Sequence, residues 1–358
     1  MSKSQMNRRS FMQTSAALAG GVALGGNFVA SAADKEDISK TRSYNADMDY
    51  RRLGGTGLWV SAVCLGGHWK RVGEVTGKKI PGVSIPKTAE DTAALRKNRH
   101  DVLTRCMEVG INYVDACTEA EISVYGPALK GRRDKMYMGF AMWPKCPRNK
   151  KYCKAEAILA ELENGMKKAE IDYIDIWRLV ASSPGKHSEA DEAEFIKAFE
   201  KAKKDGKVRF TGVSSHGRKW LKHLAETHPK HFQVLLFPYT TKTKELPKDS
   251  MFDAVRKHDI GTFGIKPFAG GSTFSRVKTK EEKLQRARTT IRYILGNPAI
   301  TAPIPGLACT EEVDNMALAI KEYREKGNAQ LKEIEPINQE MWANLPPQYQ
   351  WLKDWEYV

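Results

Sequence analysis

Eight short apolar runs, alternating with stretches of helical periodicity, most narrow what this chain can fold into. The runs are Val60–Leu65, Tyr113–Ala116, Met136–Met142, Ile174–Leu179, Phe210–Ser214, Val234–Phe237, Gly261–Lys266 and Ile300–Ile304. Helical patterns lie near Asn98–Val109, Lys154–Ala169, Glu189–Lys204, Arg218–Glu226, Ser250–Lys257, Lys280–Leu295 and Thr310–Tyr323. A short continuous apolar run is what a strand buried on both faces shows, and helices between such strands imply a parallel sheet with covered faces. A count of eight favours closure, so the predicted fold class is α/β, a (β/α)8 TIM barrel.

The ends are of a different kind. Asn7-Arg8-Arg9-Ser10-Phe11-Met12 precedes an Ala- and Gly-rich run from Ala16 to Val29, then Ala30-Ser31-Ala32. This order of charged, apolar and small residues predicts a twin-arginine signal peptide over residues 1–32, cut near Ala32 and addressed to the twin-arginine export machinery. The destination expected is the periplasm or another exported location. Glycines and Asn27 interrupt the apolar run, so no stable membrane insertion is expected after cleavage. Residues 33–49 read as a polar linker and 50–325 as the barrel, opened by a Gly-dense hairpin at Arg51–Gly57. An insertion at Lys70–Lys97 separates the first strand from its helix. The tail, 326–358, carries Trp342, Trp351 and Trp355 and is expected to pack on the barrel.

The net charge of +15 raises the possibility of a polyanion partner. The lysines, however, are spread along helices with glutamates between them (Lys197, Lys201, Lys203 and Lys204 with Glu194 and Glu200), which reads as a solvated surface, and no nucleic-acid partner is expected. Six cysteines do not make a disulfide framework in a chain of this size. Cys146 and Cys153, in the basic segment CPRNKKYC, are the pair that an oxidising compartment could bridge, and bridged and free forms are equally compatible with the sequence. There is no CxxC, HExxH or Walker motif, so no metal site is expected.

In a barrel of this kind the chemistry lies at the C-terminal strand ends. Those ends bring together His68, Asp115, Trp143, Arg178, Ser214-Ser215-His216, Lys266-Pro267 and Pro305-Gly306. The segments YRRLGGTGLWVSAVCLGG, GINYVDAC, GPALKGRRDKMYMGF, DYIDIWRL, GKVRFTGVSSHG, GIKPFAGG and IPGLACTEEVDN, in that order, resemble the aldo/keto reductase family. The resemblance implies an NAD(P)-dependent oxidoreductase acting on a small carbonyl or sugar-like substrate, with a tetrad of Asp, Tyr, Lys and His for hydride and proton transfer.

Matched segment by segment, Asp115 stands at the family's Asp. The places of Tyr, Lys and His are taken by Ala120, Ala141 and Val180. Tyr125 reads as a packed helical residue and Lys145 as a solvated one. His68 and His216, at strand ends, join Asp115 as candidate catalytic residues, and Glu119 or Glu121 on the following loop offer a different acid/base site with His216. On the cofactor side, for NADP or NAD, the resemblance points to Ser214 and Ser215 at the nicotinamide amide. It places Pro267, Phe268 and Gly270 in the diphosphate loop, and Gly306 and Thr310 at an anion-facing helix start. Leu236 replaces the Gln beneath the nicotinamide; Ala308 replaces an Arg for the 2′-phosphate, a role open to Lys266. The alternative function is a catalytically inactive small-molecule-binding relative.

Overall fold

In the computed structural model, residues 38–181, 186–243 and 249–353 are described. Eight parallel strands form the central sheet: β1 Leu65–Gly66, β2 Tyr113–Thr118, β3 Tyr137–Trp143, β4 Ile174–Val180, β5 Val208–Ser214, β6 Val234–Pro238, β7 Gly261–Ile265 and β8 Ala302–Pro303. Neighbours in sequence are neighbours in the sheet. The two edges then meet: Cys64 N–H donates to Pro303 O at 3.0 Å and Gly66 N–H to Pro305 O at 2.8 Å, joining β1 to the chain around β8. A Cβ on Gly66 would stand 2.5 Å from Ile304 O, so the seam requires glycine there.

Besides a short helix at Val72–Thr76, the helices among the described residues are α1 Ala89–Glu108, α2 Glu119–Ala128, α3 Ala155–Ala169, α4 Glu189–Lys204, α5 Arg218–Thr227, α6 Met251–Lys257, α7 Lys280–Ile294, α8 Thr310–Lys326 and α9 Leu331–Ala343. In α3 the buried Ala155, Ile158, Leu162, Met166 and Ala169 recur at three- and four-residue spacing, a stripe that fits against the sheet. Thr88, Thr118, Ser188 and Ser250 accept backbone N–H groups at the starts of α1, α2, α4 and α6. Among the described residues no helix is long and apolar enough to cross a membrane.

Three elements differ from expectation. The run Val60–Leu65 splits: Trp59–Ser61 pairs antiparallel with Tyr50–Arg52 in the expected hairpin, and only Leu65–Gly66 joins the barrel. Ser61 Oγ donates to Val63 O at 2.7 Å, turning the chain between them. Helix α2 carries no clear apolar stripe, with buried Glu121 in its first turn and Pro127 near its end, so periodicity does not reveal it. Helix α1 begins at Ala89, within the insertion, because Thr88 caps it there.

The barrel interior is filled by Val60, Cys64, Tyr113, Ile176, Val234, Leu236, Phe263 and Ile304, and Leu53 of the hairpin plugs its base against Gly261. A larger apolar layer lies between strands and helices. The stretch from residue 38 to 49, read above as linker, is tied to the barrel. Arg42 Nη1 donates to Asp175 Oδ2 at 3.1 Å, and Thr41 Oγ1 to Trp59 O at 2.6 Å. The signal segment and its cleavage point lie outside the described residues.

Asp175 is fully buried and meets three guanidiniums, with Arg133 at 2.6 Å and Arg209 at 2.9 Å besides Arg42. Burial pushes its carboxyl up, but Arg133, Arg42 and Arg209 outweigh this and hold it well below the usual carboxylate range. Replacing one member of such a cluster strands the others' charge. We expect Asp175→Asn to lower stability by about 3–5 kcal/mol, read as a shift in the urea midpoint at constant slope.

Candidate active site

The C-terminal strand ends open into a cavity of about 800 Å³. Its walls include Asp115 and Cys117 after β2, Trp143 and Arg148 from β3 and its loop, and Arg178 and Val180 of β4. Ser214 and His216 follow from β5, and the opposite wall runs from Lys266 to Phe268 and through Gly270 and Gly271 after β7, with Gly306 to Ala308 after β8. Gln348 and Tyr349 come from the tail.

Asp115 is buried and clasped by Arg178 of β4: Nε donates to Oδ1 at 2.9 Å and Nη2 to Oδ2. Tyr113 OH donates to Oδ1 at 3.0 Å. The carboxylate holds the Arg178 guanidinium far above its ordinary range despite burial, so the arginine stays charged. Sequence matching placed Asp115 but gave Arg178 no role. An arginine inside the apolar strand IDIWRLV was the available signal, since a buried charge needs a partner.

The matched positions Ala141 and Val180 pack together with Cys146, and Cys117 leans on the cluster. This corner is apolar. Burial pushes the Cys117 thiol up to about 11, so it stays protonated. Ala120 lies in the first turn of α2 and does not line the cavity. Tyr125 is packed as expected: its OH donates to Gly67 O at 2.8 Å, and burial pushes it up to about 12. Lys145 is partly exposed, 3.5 Å from both Glu119 and Glu161.

The glutamates are not on a loop. Both fall in the first turn of α2, and neither meets His216. Glu121 is fully buried; its Oε2 accepts the N–H groups of Cys117 at 2.6 Å and Thr118 at 2.9 Å in a capping box, and Oε1 meets His68 Nδ1. Glu119 points away to Lys168 and Asn164.

His216 stacks on Trp351 of the tail, ring centroids 4.4 Å apart, with Nε2 3.4 Å from Lys266 Nζ. Burial, Lys266 and Arg148 push the imidazole down to about 2. Neutral at physiological pH, the ring accepts and does not supply a proton. Lys266 itself, in left-handed backbone conformation at φ 60°, is pushed down to about 8, first by burial and then by Arg148.

The remaining cofactor candidates divide. Ser214 lines the cavity, whereas Ser215 is fully buried, its Oγ accepting Gly217 N–H at 3.1 Å. Pro267, Phe268 and Gly270 form one wall with Gly271; Gly270 and Gly271 have φ of 71° and 100°, which glycine adopts without strain. A Cβ on Gly270 would meet the Tyr349 ring at 2.5 Å, while nothing lies within 4 Å of Gly271. The tail thus reaches the loop: Ala269 shares an apolar cluster with Met341, Leu345 and Leu352, alongside Trp342 and Trp351; Trp355 lies outside the described residues. Gly306 lines the cavity and Thr310 does not. At that helix start Glu312 accepts Ala308 N–H at 2.8 Å and binds Arg71 at 2.5 and 2.6 Å.

Comparison with known proteins decides the family. The aldo/keto reductase family profile matches residues 87–290, more than half of the sequence. The chain belongs to the aldo/keto reductase family. A twin-arginine translocation signal sequence matches residues 5–25, indicating export by that pathway. The L-galactose dehydrogenase of Arabidopsis thaliana is 22% identical over 322 residues, covering 81% of this chain and 94% of its own. An aldo-keto reductase from Bacillus halodurans, in its holo form, superposes with a TM-score of 0.60 at 18% identity, covering 84% of this chain and 99% of that one. One from Klebsiella pneumoniae in complex with NADPH gives 0.60 at 18%, covering 84% and 96%. These likenesses show a shared fold.

Cys146 and Cys153 are both buried free thiols, so the bridged alternative is not the one adopted. Cys153, His187 and Asp191 place potential metal-ligand atoms within 4.8 Å of one another, but Lys150 Nζ already sits 2.8 and 2.9 Å from the Asp191 oxygens.

Two outcomes test this geometry. Arg178→Met should cost about 3–5 kcal/mol because the buried Asp115 carboxyl is left without its partner, and the double change Asp115→Leu with Arg178→Met should recover much of it; urea unfolding of Arg178→Met, Asp115→Leu and the double variant reads the coupling. His216, unable to protonate when folded, favours the unfolded chain as pH falls below about 6.5. Between pH 7.5 and 5.0 the wild type should therefore lose about 1–2 kcal/mol more stability than His216→Gln.

Proposed function

We propose that this family member is an exported NADP(H)- or NAD(H)-dependent oxidoreductase of small carbonyl or sugar-like molecules, working in the periplasm with a rearranged catalytic set. The observation that carries the reading is the Asp115–Arg178 pair facing, across one cavity, the left-handed glycine loop Pro267–Gly271 and Ser214. The NADPH-bound Klebsiella relative and the L-galactose dehydrogenase support it by kinship.

The residues present fit a dinucleotide in part. The open face of Gly271 admits a diphosphate, with Lys283 and Asn315 along the same wall. The start of α8 does not offer a 2′-phosphate seat, because the Glu312 carboxylate already takes Ala308 N–H and the Arg71 guanidinium. When bound, the nicotinamide supplies or accepts a hydride. Arg178 anchors the Asp115 carboxylate by two hydrogen bonds and places its guanidinium on the cavity wall, where an oxyanion develops. The places of the family's Tyr, Lys and His offer no proton. Lys266, protonated below about pH 8 and beside the neutral acceptor His216, is the cavity's best-placed proton carrier.

A second reading, binding without turnover, is favoured by the apolar corner of Ala141, Val180 and Cys146. Fluorescence titration of the mature protein with NADPH and NADH separates the two. Both cofactors should bind, with dissociation constants within about tenfold of each other because the 2′-phosphate gains no seat. Reduction of generic aldehydes should run about a hundred-fold or more below an intact tetrad's rate. No binding at millimolar cofactor would remove the oxidoreductase reading, and a rate usual for the family would show that Ala120, Ala141 or Val180 is wrongly matched.

A further inference from the structure

The cavity carries more positive charge than hydride transfer needs. Arg178 rises from β4, Arg148 from the loop after β3, and Lys266 from the end of β7, with Lys70 at the rim beyond β1. Among the described residues no carboxylate pairs with Arg148 or Lys266. Arg148 is held by its Nε donating to Ala181 O at 2.9 Å, which fixes the guanidinium at the rim. Asp115, the acid on this wall, is committed to Arg178. His216, 3.4 Å from Lys266 Nζ, is a neutral ring and offsets no positive charge. Uncompensated cations converging on one partly buried space repel each other, and an anion bound among them removes that cost.

The dinucleotide phosphates do not account for Arg148. Their loop follows β7, directly after Lys266, and the nearby Gly306 follows β8, whereas Arg148 follows β3, three or four strands away around an eight-stranded barrel. Trp143, at the end of β3 and 42% exposed, adds a flat apolar face next to the guanidiniums.

We propose that Arg148 and Lys266 form a subsite for the carboxylate of a small organic acid, so that the substrate class is a carbonyl- or hydroxyl-bearing acid such as a sugar acid. This deepens the oxidoreductase reading above and rests on it for the reaction, but not for the binding.

Isothermal titration of the mature protein with D-glucuronate, D-glucose and inorganic sulfate, each with and without saturating NADPH, tests it. Glucuronate should bind and glucose should not, and Arg148→Gln and Lys266→Gln should each weaken glucuronate by about tenfold or more, the worth of one charge-assisted hydrogen bond. Circular dichroism and melting of the two variants check that they fold; Arg148 lies at the exposed rim, so its change leaves the core intact. Equal binding of glucose, undiminished glucuronate binding in both variants, or binding of sulfate without glucuronate would each overturn the carboxylate subsite. So would loss of glucuronate binding on adding NADPH together with weaker NADPH binding in both variants, because the cations would then serve the cofactor. If NADPH fails to bind at all, the oxidoreductase reading falls, while glucuronate binding still decides the subsite.

Discussion

A parallel sheet has two unpaired edges, and this molecule is organised around joining them. The short strands β1 and β8 contribute little pairing of their own, yet the hydrogen bonds from Cys64 and Gly66 to Pro303 and Pro305 close the ring. Closure turns every strand's C-terminal end toward one mouth, which is why residues from Asp115 to Gly306 line a single cavity. It also explains the glycine at position 66, where two backbones approach too closely for any side chain.

The charges obey the same logic of enclosure at both ends of the barrel. Near the base, Asp175 is buried among three arginines; at the mouth, Asp115 is buried against one. Burial alone would push the Asp175 carboxyl up, and its three guanidiniums are what hold it ionised. The base cluster also fastens residues ahead of the hairpin through Arg42. The mouth pair leaves a rigid floor beneath a cavity in which Arg148 and Lys266 meet no carboxylate among the described residues. That asymmetry, a saturated base and an unsaturated mouth, separates structural from functional electrostatics in this barrel.

The tail extends the cavity wall. Tyr349 lies on Gly270 and Trp351 on His216, and the apolar cluster of Met341, Leu345 and Leu352 backs the loop at Ala269. An imidazole covered in this way loses its hydration and with it the ability to protonate. The segment after α8 thus sets the chemistry of a residue more than a hundred positions earlier in the chain.

The sequence by itself determined the alternation of buried strands and helices, the export signal, the family and the position of Asp115. These are local facts, since periodicity, motif order and spacing act over a few residues. The tertiary structure alone decided that Arg178, 63 residues from Asp115 along the chain, completes it. It also decided that Glu121 serves a helix cap and His68 rather than His216, and that the tail covers the diphosphate-like loop. The start of helix α2 does not show in the periodicity because a capping box, not an apolar stripe, marks it, and the first apolar run divided because Ser61 turns the chain inside it. Each of these depends on which strands become neighbours once the ring closes, and closure is a property of the whole sheet that no single segment encodes.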